Sequence, residues 1–314
     1  MRIASRSCAD YACAMTKQPL DHWLLFGASG TVGSYLLSRL LRAGAQVDAV
    51  SRQPQAAAAP GLRWIRGSLE NAADAFAFAN DRAPSVIACA GPLDAFAAWL
   101  ERAPPPAGTR VVALSSLSAE WKQQSRQPAE RALAARLLQA EQTLLAVCAR
   151  AQAPATLFRC GMIYGAGRDR SLSPLLRFAQ RWGALVLPRA ARGLRQPVHA
   201  DDLAQALLAA APRADLAQSV LRLPGPDALD YFQMVQRSLA RLPQPPRLIR
   251  LPAPGLAALA AALATRPRRL GRAAAVLSRL FQDQCAPATD WQRLKLQPRA
   301  FDGDLCGPAA DFQN

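Results

Sequence analysis

Three evenly spaced glycines are the residues of this chain whose arrangement points most directly to chemistry. Residues 27–33 read Gly-Ala-Ser-Gly-Thr-Val-Gly, so a glycine stands at every third position. An apolar run from Trp23 to Phe26 precedes them, and a helical pattern begins near Thr31. A strand that turns through glycines into a helix directs backbone N–H groups at an anion. The spacing therefore predicts a site for the pyrophosphate of a dinucleotide, the alternative being an ordinary glycine-rich turn.

Each glycine has its own expected part in this site. Gly27 allows a tight turn, Gly30 lets the backbone approach the phosphates, and Gly33 lets the helix pack closely on the strand. The ends of the neighbouring strands complete the predicted dinucleotide site. The full set of predicted cofactor-binding residues is Gly27, Ser29, Gly30, Thr31, Val32, Gly33, Ser51, Arg52, Ser68, Leu69, Ala90 and Gly91.

The end of the second predicted strand, residues 46–51, bears on which dinucleotide is bound. An acidic residue at this strand end holds the adenosine ribose of NAD, but here the strand ends in Ser51 and Arg52. An arginine there can pair with a 2′-phosphate, which favours NADP, with NAD as the second choice. Asp48 is an alternative acid but lies three residues earlier, inside the strand. A solvated loop charge is the alternative role for Arg52.

Strand-like and helix-like patterns alternate through the first half of the chain, and this alternation is typical of a parallel α/β sheet. Strands are predicted at 22–26, 46–51, 62–66, 85–89, 110–114, 156–160 and 219–223, and helices at 31–43, 71–82, 93–102, 128–150, 172–182, 231–242 and 255–280. A further helix after residue 200 is expected to be capped by Asp201 or Asp202. The predicted fold is a Rossmann-type doubly wound sheet with a small C-terminal, mainly helical substrate lobe.

The same patterns suggest where the domains lie. Residues 1–14 are expected to be a disordered tail, and residues 15–165 a dinucleotide-binding domain. Residues 166–314 are expected to form the substrate-lobe region, with 195–225 returning to the sheet.

Composition narrows the range of partners and compartments. The net charge of +16 favours anionic ligands, but no basic run is interleaved with aromatic residues, which argues against nucleic acid. The seven cysteines are scattered without metal-ligand spacing, so we expect reduced thiols in a cytoplasmic protein and no metal. No apolar run is long enough for a signal peptide or a transmembrane segment.

These motifs together resemble the extended short-chain dehydrogenase/reductase superfamily and, within it, the NAD-dependent epimerase/dehydratase branch. The resemblance implies redox chemistry, such as 4-keto reduction or epimerisation, on a nucleotide-activated sugar or a related anionic carbonyl compound. It is also compatible with a homodimer. The matching segments, in the order typical of the family, are residues 27–33, Ala90-Gly91, Ser115-Ser116, 159–165 and 198–204.

The chain departs from this family at the catalytic helix. The family carries Tyr-x-x-x-Lys followed four residues later by a glutamate, which Glu141 matches. Leu137 then stands at the lysine position and Leu133 at the tyrosine position. Shifting the frame does not restore the pair, because Lys122 has Ser118 four residues before it. The standard proton carrier is missing, so the rival interpretation is a non-catalytic NADP-binding protein that acts as a sensor or accessory subunit.

Other polar residues are then candidates for the chemistry. The resemblance places Ser115 and Ser116 where a hydroxyl polarises a substrate oxygen, although serines can also simply close a buried strand. Tyr164 is a candidate for a displaced acid, against a role in shaping the substrate loop. Three further residues are the candidates for substrate binding, with structural or solvated roles as the alternatives: Arg168, Arg195 and His199.

Overall fold

Thirteen strands are present in the computed structural model, which describes residues 22–53, 59–69, 83–169, 171–189, 191–252 and 280–304. They are β1 (His22–Phe26), β2 (Gln46–Ser51), β3 (Leu62–Arg66), β4 (Val86–Cys89), β5 (Arg110–Ser116), β6 (Ala155–Cys160), β7 (Met162–Tyr164), β8 (Ala184–Pro188), β9 (Leu194–Arg195), β10 (Pro197–His199), β11 (Ser219–Leu223), β12 (Leu229–Asp230) and β13 (Arg247–Leu251). Seven of them form one sheet in the order β11-β6-β5-β4-β1-β2-β3. Every pair of neighbours in this sheet is parallel.

Helices cover both faces of the central sheet. They are α1 (Thr31–Arg42), α2 (Leu93–Arg102), α3 (Ser118–Trp121), α4 (Pro128–Arg150), α5 (Leu172–Trp182), α6 (Ala200–Ala210), α7 (Tyr231–Ala240) and α8 (Asp290–Arg293). Alternate residues of β1 divide between two cores, as strand geometry requires. Trp23 and Leu25 pack in the core that contains α1 and α6, whereas Leu24 and Phe26 pack in the core that contains α2 and α4.

The strand order identifies where a ligand should bind. The chain winds outward from β1 to β3 and then crosses to β4, so the order of the strands reverses between β1 and β4. In sheets of this kind the crevice at the carboxyl ends of the strands, at this reversal, is the ligand site. The prediction of a Rossmann-type doubly wound sheet is therefore confirmed.

The C-terminal lobe contains more strand than the sequence suggested. Three two-stranded sheets, β7–β10, β9–β12 and β8–β13, accompany α5 and α7 there. These strands have two to five residues each, too few to show a clear periodicity. The predicted tail at 1–14 and the predicted helices at 71–82 and 255–280 lie outside the described residues, apart from Leu280.

Asp48 lies inside the sheet, as the third of the six residues of β2 and opposite Leu24 in the middle of β1. Its carboxylate accepts two hydrogen bonds from Arg63, at 2.7 and 2.6 Å, and lies 2.9 Å from Nε2 of His22. Burial alone would raise the pKa of Asp48, but the hydrogen bonds from Arg63 and His22 outweigh it and hold the pKa below its usual value. Asp48 therefore fastens β2 to its neighbours and is not the acid that binds a ribose.

We expect Asp48→Asn to lower the free energy of unfolding by about 1 kcal/mol at neutral pH, because Arg63 loses an ionised partner. The folded pKa of Asp48 lies below the unfolded value of about 3.9. The stabilisation is therefore complete above that value and is lost as the pH falls through the folded pKa. Urea unfolding of the wild type and the variant across this acidic range measures the difference.

The matched control is Asp215→Asn, which removes an equivalent carboxylate from a solvent-exposed pair with Arg213. This change should affect stability far less, since exposed ion pairs contribute little. Equal losses for the two variants would contradict the part given to Asp48.

Candidate functional site

A cleft of about 1100 Å³ opens at the carboxyl edge of the central sheet, between the sheet and the C-terminal lobe. It exceeds the usual volume of a pocket for a drug-sized ligand, about 300–1,000 Å³, so it has room for a large ligand. The described residues that line it are Ser29, Gly30, Thr31, Val32, Ala90, Gly91, Pro92, Leu114, Ser116, Ser118, Trp121, Lys122, Cys160, Gly161, Met162, Ile163, Arg168, Asp169, Ser171, Leu172, Pro174, Leu175, Phe178, Arg195, Tyr231, Leu280 and Gln284.

Two glycines of the β1–α1 turn occupy positions that no side chain fits. Gly27 has φ +76°, and a Cβ there would lie 2.9 Å from the backbone nitrogen of Gly91. A Cβ on Gly33 would lie only 2.0 Å from the carbonyl oxygen of Gly27. The first contact brings the turn against the end of β4, and the second brings α1 against the turn.

The N-terminus of α1 faces the cleft without a side-chain cap. Gly30 is the N-cap residue and contributes no side-chain hydrogen bond, and the first turn of α1 carries no acidic residue. Arg168 lies beside it, with Nη1 donating to the carbonyl oxygen of Ser29 at 3.1 Å. The backbone N–H groups, the helix dipole and this guanidinium together fit a phosphate group. These features match what a dinucleotide pyrophosphate requires.

A second helix, α5, begins at the same cleft but is already capped. Oδ1 of Asp169 accepts hydrogen bonds from the backbone N–H groups of Ser171, Leu172 and Ser173 at 2.9, 2.6 and 3.1 Å. The carboxylate therefore neutralises the positive end of α5. This helix N-terminus has no need of an anionic ligand.

The remaining predicted cofactor residues lie at the ends of β2 and β3 rather than among the residues that line the cleft. The Ser51 hydroxyl donates to the carbonyl oxygen of Gln53 at 2.7 Å and so forms the turn that follows β2. The next residue, Arg52, is exposed to solvent. Ser68 and Leu69 follow β3. Cδ1 of Leu69 would lie 3.9 Å from a Cβ atom added at Gly91, so the residues after β3 lie close to the end of β4. The Arg52 side chain is thus available to a ligand at the end of β2.

Of the three hydroxyl groups predicted to serve in catalysis, the structure brings one into the cleft. Ser116 lines the cleft, whereas Ser115 points to the other side of the strand and donates to Oε1 of Glu141 at 2.5 Å. Tyr164 is fully buried against His199 and Phe301, with ring centroids 5.0 and 4.8 Å away. Burial raises the pKa of Tyr164 above its usual value, so the phenol stays protonated. The placement predicted for Ser115 and Tyr164 is corrected accordingly.

The two arginines predicted for substrate binding both line the cleft. Arg168 lies beside the uncapped helix, and Arg195 lies towards the C-terminal lobe. The guanidinium of Arg195 is held by the carbonyl oxygens of Leu194 and Gln282, at 2.7 and 2.6 Å, and lies 5.8 Å from the ring centroid of Tyr231. An anion that entered the cleft would have a cation near each end.

His199, the third predicted substrate residue, is not among the described residues that line the cleft. Its Nδ1 accepts the backbone N–H of Asp201 at 3.1 Å, so His199 caps α6 in place of the predicted aspartates. Burial, reinforced by the charge of Arg299, lowers the pKa of His199 and keeps the ring neutral.

Asp201 and Asp202, which were expected to cap α6, hold arginines instead. Asp201 accepts hydrogen bonds from Arg39 and Arg299, and Asp202 accepts from Arg299. Their carboxylates and His199 place ligand-type atoms within 4.8 Å of one another, but the two arginines already neutralise the aspartates.

The sequence analysis did not anticipate a group of residues on and next to the short helix α3. Ser118, Trp121 and Lys122 all line the cleft, and Lys122 is nearly buried. Nζ of Lys122 lies 3.4 Å from Oε1 of Glu130, which is itself buried at the start of α4. Lys122 was considered only as a member of a Tyr-x-x-x-Lys pair. The rarity of lysine in a chain so rich in arginine was the signal that could have pointed to it.

Leu133 and Leu137, which the sequence resemblance aligns with a tyrosine and a lysine, are partly buried on α4. Neither is among the described residues that line the cleft.

The family model described as NAD(P)H-binding matches residues 27–170. These residues include the glycine turn after β1, the carboxyl ends of β2 to β6, and Arg168. No curated protein matches the chain. The match confirms that this part of the chain is an NAD(P)-binding domain. The match spans less than half of the 314 residues: it includes β2 to β6 of the central sheet, and it leaves out β1, β11 and everything after residue 170.

Solved structures share the fold over most of the chain. MoeE5 in complex with UDP-glucose and NAD is 21% identical, with a TM-score of 0.64 over 89% of this chain and 94% of that one. The epimerase Mth375 from Methanothermobacter thermautotrophicus is 14% identical, with a TM-score of 0.67 over 90% and 89%. UDP-glucose 4-epimerase from Thermotoga maritima, with UDP-glucose, is 11% identical, with a TM-score of 0.62 over 90% and 95%. The fold is therefore that of the epimerase/dehydratase type.

Among the residues that the structure describes, no helix combines the length and apolar character needed to cross a membrane.

We expect Gly30→Asp to abolish measurable NAD(P)H binding while leaving the protein folded. Gly30 has extended backbone angles, and a Cβ there meets only the carbonyl oxygen of Gly27, at 3.1 Å. The new carboxylate would cap α1 and repel the pyrophosphate from the same N–H groups. Fluorescence titration with NADPH and NADH measures binding, and thermal unfolding checks that the fold is kept.

The control is Gly30→Asn, which has the same size and capping ability but no charge. It should weaken binding less than the aspartate. Equal binding by the wild type and the aspartate variant would show that the phosphates bind elsewhere.

Proposed function

We propose that this chain, an NAD(P)-binding domain with a C-terminal lobe on the fold of nucleotide-sugar epimerases and dehydratases, is an NAD(P)-dependent oxidoreductase of the epimerase/dehydratase type. Its substrate class would be a nucleotide-activated sugar or a related anionic carbonyl compound. The observation that carries the proposal is one continuous cleft, which begins at the uncapped end of α1 and reaches Arg195 and Tyr231. Such a cleft can hold a dinucleotide and a second, negatively charged molecule next to each other.

The charges along the cleft support an anionic substrate. Arg168 contacts the glycine turn, and Arg195 lines the same cleft and is buried, where a positive charge is costly unless polar groups or an anion compensate it. A guanidinium presents five N–H donors in a fixed geometry that suits phosphate groups. Tyr231 offers an aromatic face beside Arg195, against which a base or a sugar ring can pack.

The chain's own residues would position the carbonyl group. When bound, the nicotinamide supplies or accepts a hydride. The hydroxyl of Ser116 lies at the carboxyl end of β5, in the cleft, and accepts the backbone N–H of Ser118 at 3.1 Å. Its own O–H remains a donor for a substrate oxygen. Ala90 and Gly91, at the end of β4, keep the adjacent wall small enough for a cofactor to pass close to the backbone.

The proposed compartment is the cytoplasm. Cys89, Cys148 and Cys160 are buried free thiols in the structure. Burial raises the pKa of Cys89 and of Cys148 to about 12, so these thiols stay protonated and unreactive. Free thiols are typical of a reducing environment.

The proposed activity is tested by mixing the purified protein with NADPH or NADH and keto-sugar nucleotides, and following nicotinamide absorbance. We expect turnover that falls at least tenfold in Arg195→Ala, because the substrate loses its buried cation. Arg150→Ala, an exposed arginine at the end of α4, is the charge-matched control and should keep full activity. Turnover that does not change in Arg195→Ala would contradict the placement of the substrate.

A preference for NADP is part of the proposal. Arg52 follows β2 and is exposed, and Ser51 shapes the turn before it. A charged pair with the 2′-phosphate contributes about 1.5–3 kcal/mol, or roughly tenfold or more in affinity. Calorimetry should show that Arg52→Ala weakens NADP binding and leaves NAD binding nearly unchanged. NAD is the cofactor named in several of the similar structures. If the wild type binds NAD more tightly than NADP, the proposed NADP preference is wrong and the proposed activity is unaffected.

The second candidate function is a non-catalytic NADP-binding protein that acts as a sensor or accessory subunit. The apolar pair Leu133 and Leu137 favours it, because that pair replaces the residues on which proton transfer depends in the enzymes of the family. Tight NADPH binding without turnover on any keto-sugar nucleotide would favour this candidate over the enzyme.

A further inference from the structure

Lys122 is a nearly buried lysine among the described residues that line the cleft. It follows α3 directly, has 9% of its surface exposed, and lines the cleft together with Ser116 and Ser118. An ammonium so deeply buried is costly, even when a carboxylate pairs with it. Replacing such a pair with apolar residues is often neutral or stabilising, so stability alone is a weak reason to have it there.

The choice of lysine at this position carries its own information. The chain has 38 basic residues, and only Lys17, Lys122 and Lys295 among them are lysines. An arginine could pair with Glu130 as well or better, since its guanidinium suits carboxylates. Only the lysine can release and regain a proton, because a guanidinium stays charged in proteins. Among the described residues that line the cleft, Lys122 is thus the one basic side chain that can transfer a proton.

Its neighbours hold the ammonium in place. Oε1 of Glu130 lies 3.4 Å from Nζ, and Oε2 of Glu130 accepts the hydroxyl of Ser125 at 2.7 Å. Trp121 fixes the end of α3 by donating its indole N–H to the carbonyl oxygen of Cys285 at 3.2 Å. Glu130 therefore ties the lysine to α4, and Trp121 ties the adjoining end of α3 to the C-terminal lobe.

We infer that Lys122 is the proton-transfer residue of the cleft, with Glu130 as its positioning residue. Lys122 would thus take the catalytic role of the family's tyrosine and lysine, at whose positions α4 carries Leu133 and Leu137. This inference rests on the proposed function. In the reduction of a carbonyl group, Nζ gives one proton to the carbonyl oxygen as a hydride reaches the carbon, which yields a hydroxyl group. The neutral amine that remains takes a proton from water, so the ammonium is restored. Ser116 and Ser118, which line the same cleft, would hold the oxygen.

Two substitutions separate proton transfer from charge. Lys122→Arg keeps the positive charge beside Glu130 but fixes the proton, and Lys122→Met removes both. We expect turnover to fall about a hundredfold or more in both variants, the usual contribution of general acid–base catalysis. NADPH binding should stay within threefold of the wild type. A structural role would predict recovery in the arginine variant, so turnover there within threefold of the wild type would overturn the inference.

Folding is controlled separately. Lys122→Met leaves a buried carboxylate without its cation, so the double variant Lys122→Met/Glu130→Gln restores neutrality and keeps an acceptor for Ser125. It should fold and bind NADPH, yet stay as inactive as the single variant. Lys295→Arg, at an exposed position, is the matched lysine control and should keep full turnover.

A chemical measurement tests the position of Lys122 without any turnover. Brief acetylation with acetic anhydride, read by mass spectrometry, reports each lysine, and Lys295 is the internal reference. NADP⁺ with UDP-glucose should protect Lys122 at least threefold and leave Lys295 unchanged. If NADPH binds and the wild type turns over but Lys122 is not protected, the inference fails and the proposed function stands. If NADPH does not bind to the wild type, the proposed function fails, and the inference fails with it.

Discussion

The close packing of α1 against the turn that follows β1 is the constraint on which the rest of the site depends. With only 2.0 Å between a Cβ at position 33 and the Gly27 oxygen, the helix can begin here only if glycine occupies both positions. The same turn rests against the backbone of Ala90 and Gly91, so the ends of β1 and β4 meet without intervening side chains. The positive end of α1 is thereby fixed at the reversal of strand order, and the cleft opens in front of it.

The fold was largely predictable from the sequence, and the orientation of individual side chains was not. Apolar runs separated by helical patterns give the strand order little freedom, because parallel strands need crossovers of one hand. Successive side chains of β5 point to opposite faces of the sheet, so only one of Ser115 and Ser116 can face the cleft. The sequence does not show which one, because both residues are serines. The sequence makes Tyr164 a candidate acid and His199 a candidate substrate residue, yet their rings pack against each other in a core that only the folded chain reveals.

Glu141 joins α4 to the central sheet through its buried carboxylate. It accepts the hydroxyl of Ser115 and pairs with Arg159, whose Nη2 lies 2.5 Å away, while Arg159 also reaches Glu120 at 2.6 Å. This buried network joins α4 and α3 to the sheet, and breaking one member would leave another charge uncompensated. The Glu141 carboxylate is thus committed to architecture, whereas Leu137 and Leu133, one and two steps of four residues earlier on the same helix, carry side chains that cannot hydrogen-bond. The sequence could not separate these roles, since spacing alone treats the three positions as one motif.

The capped start of α5 has a consequence for how a ligand enters. A dinucleotide is two nucleotides joined through a pyrophosphate, and it could in principle lie in a groove in either direction. Of the two helices that begin at this cleft, α1 is open and α5 is closed by Asp169, so the groove has a single electrostatic pole for the phosphates. That pole fixes where along the groove the phosphates would lie, and the direction of the ligand would then be set by the contacts that its two nucleosides make with the walls.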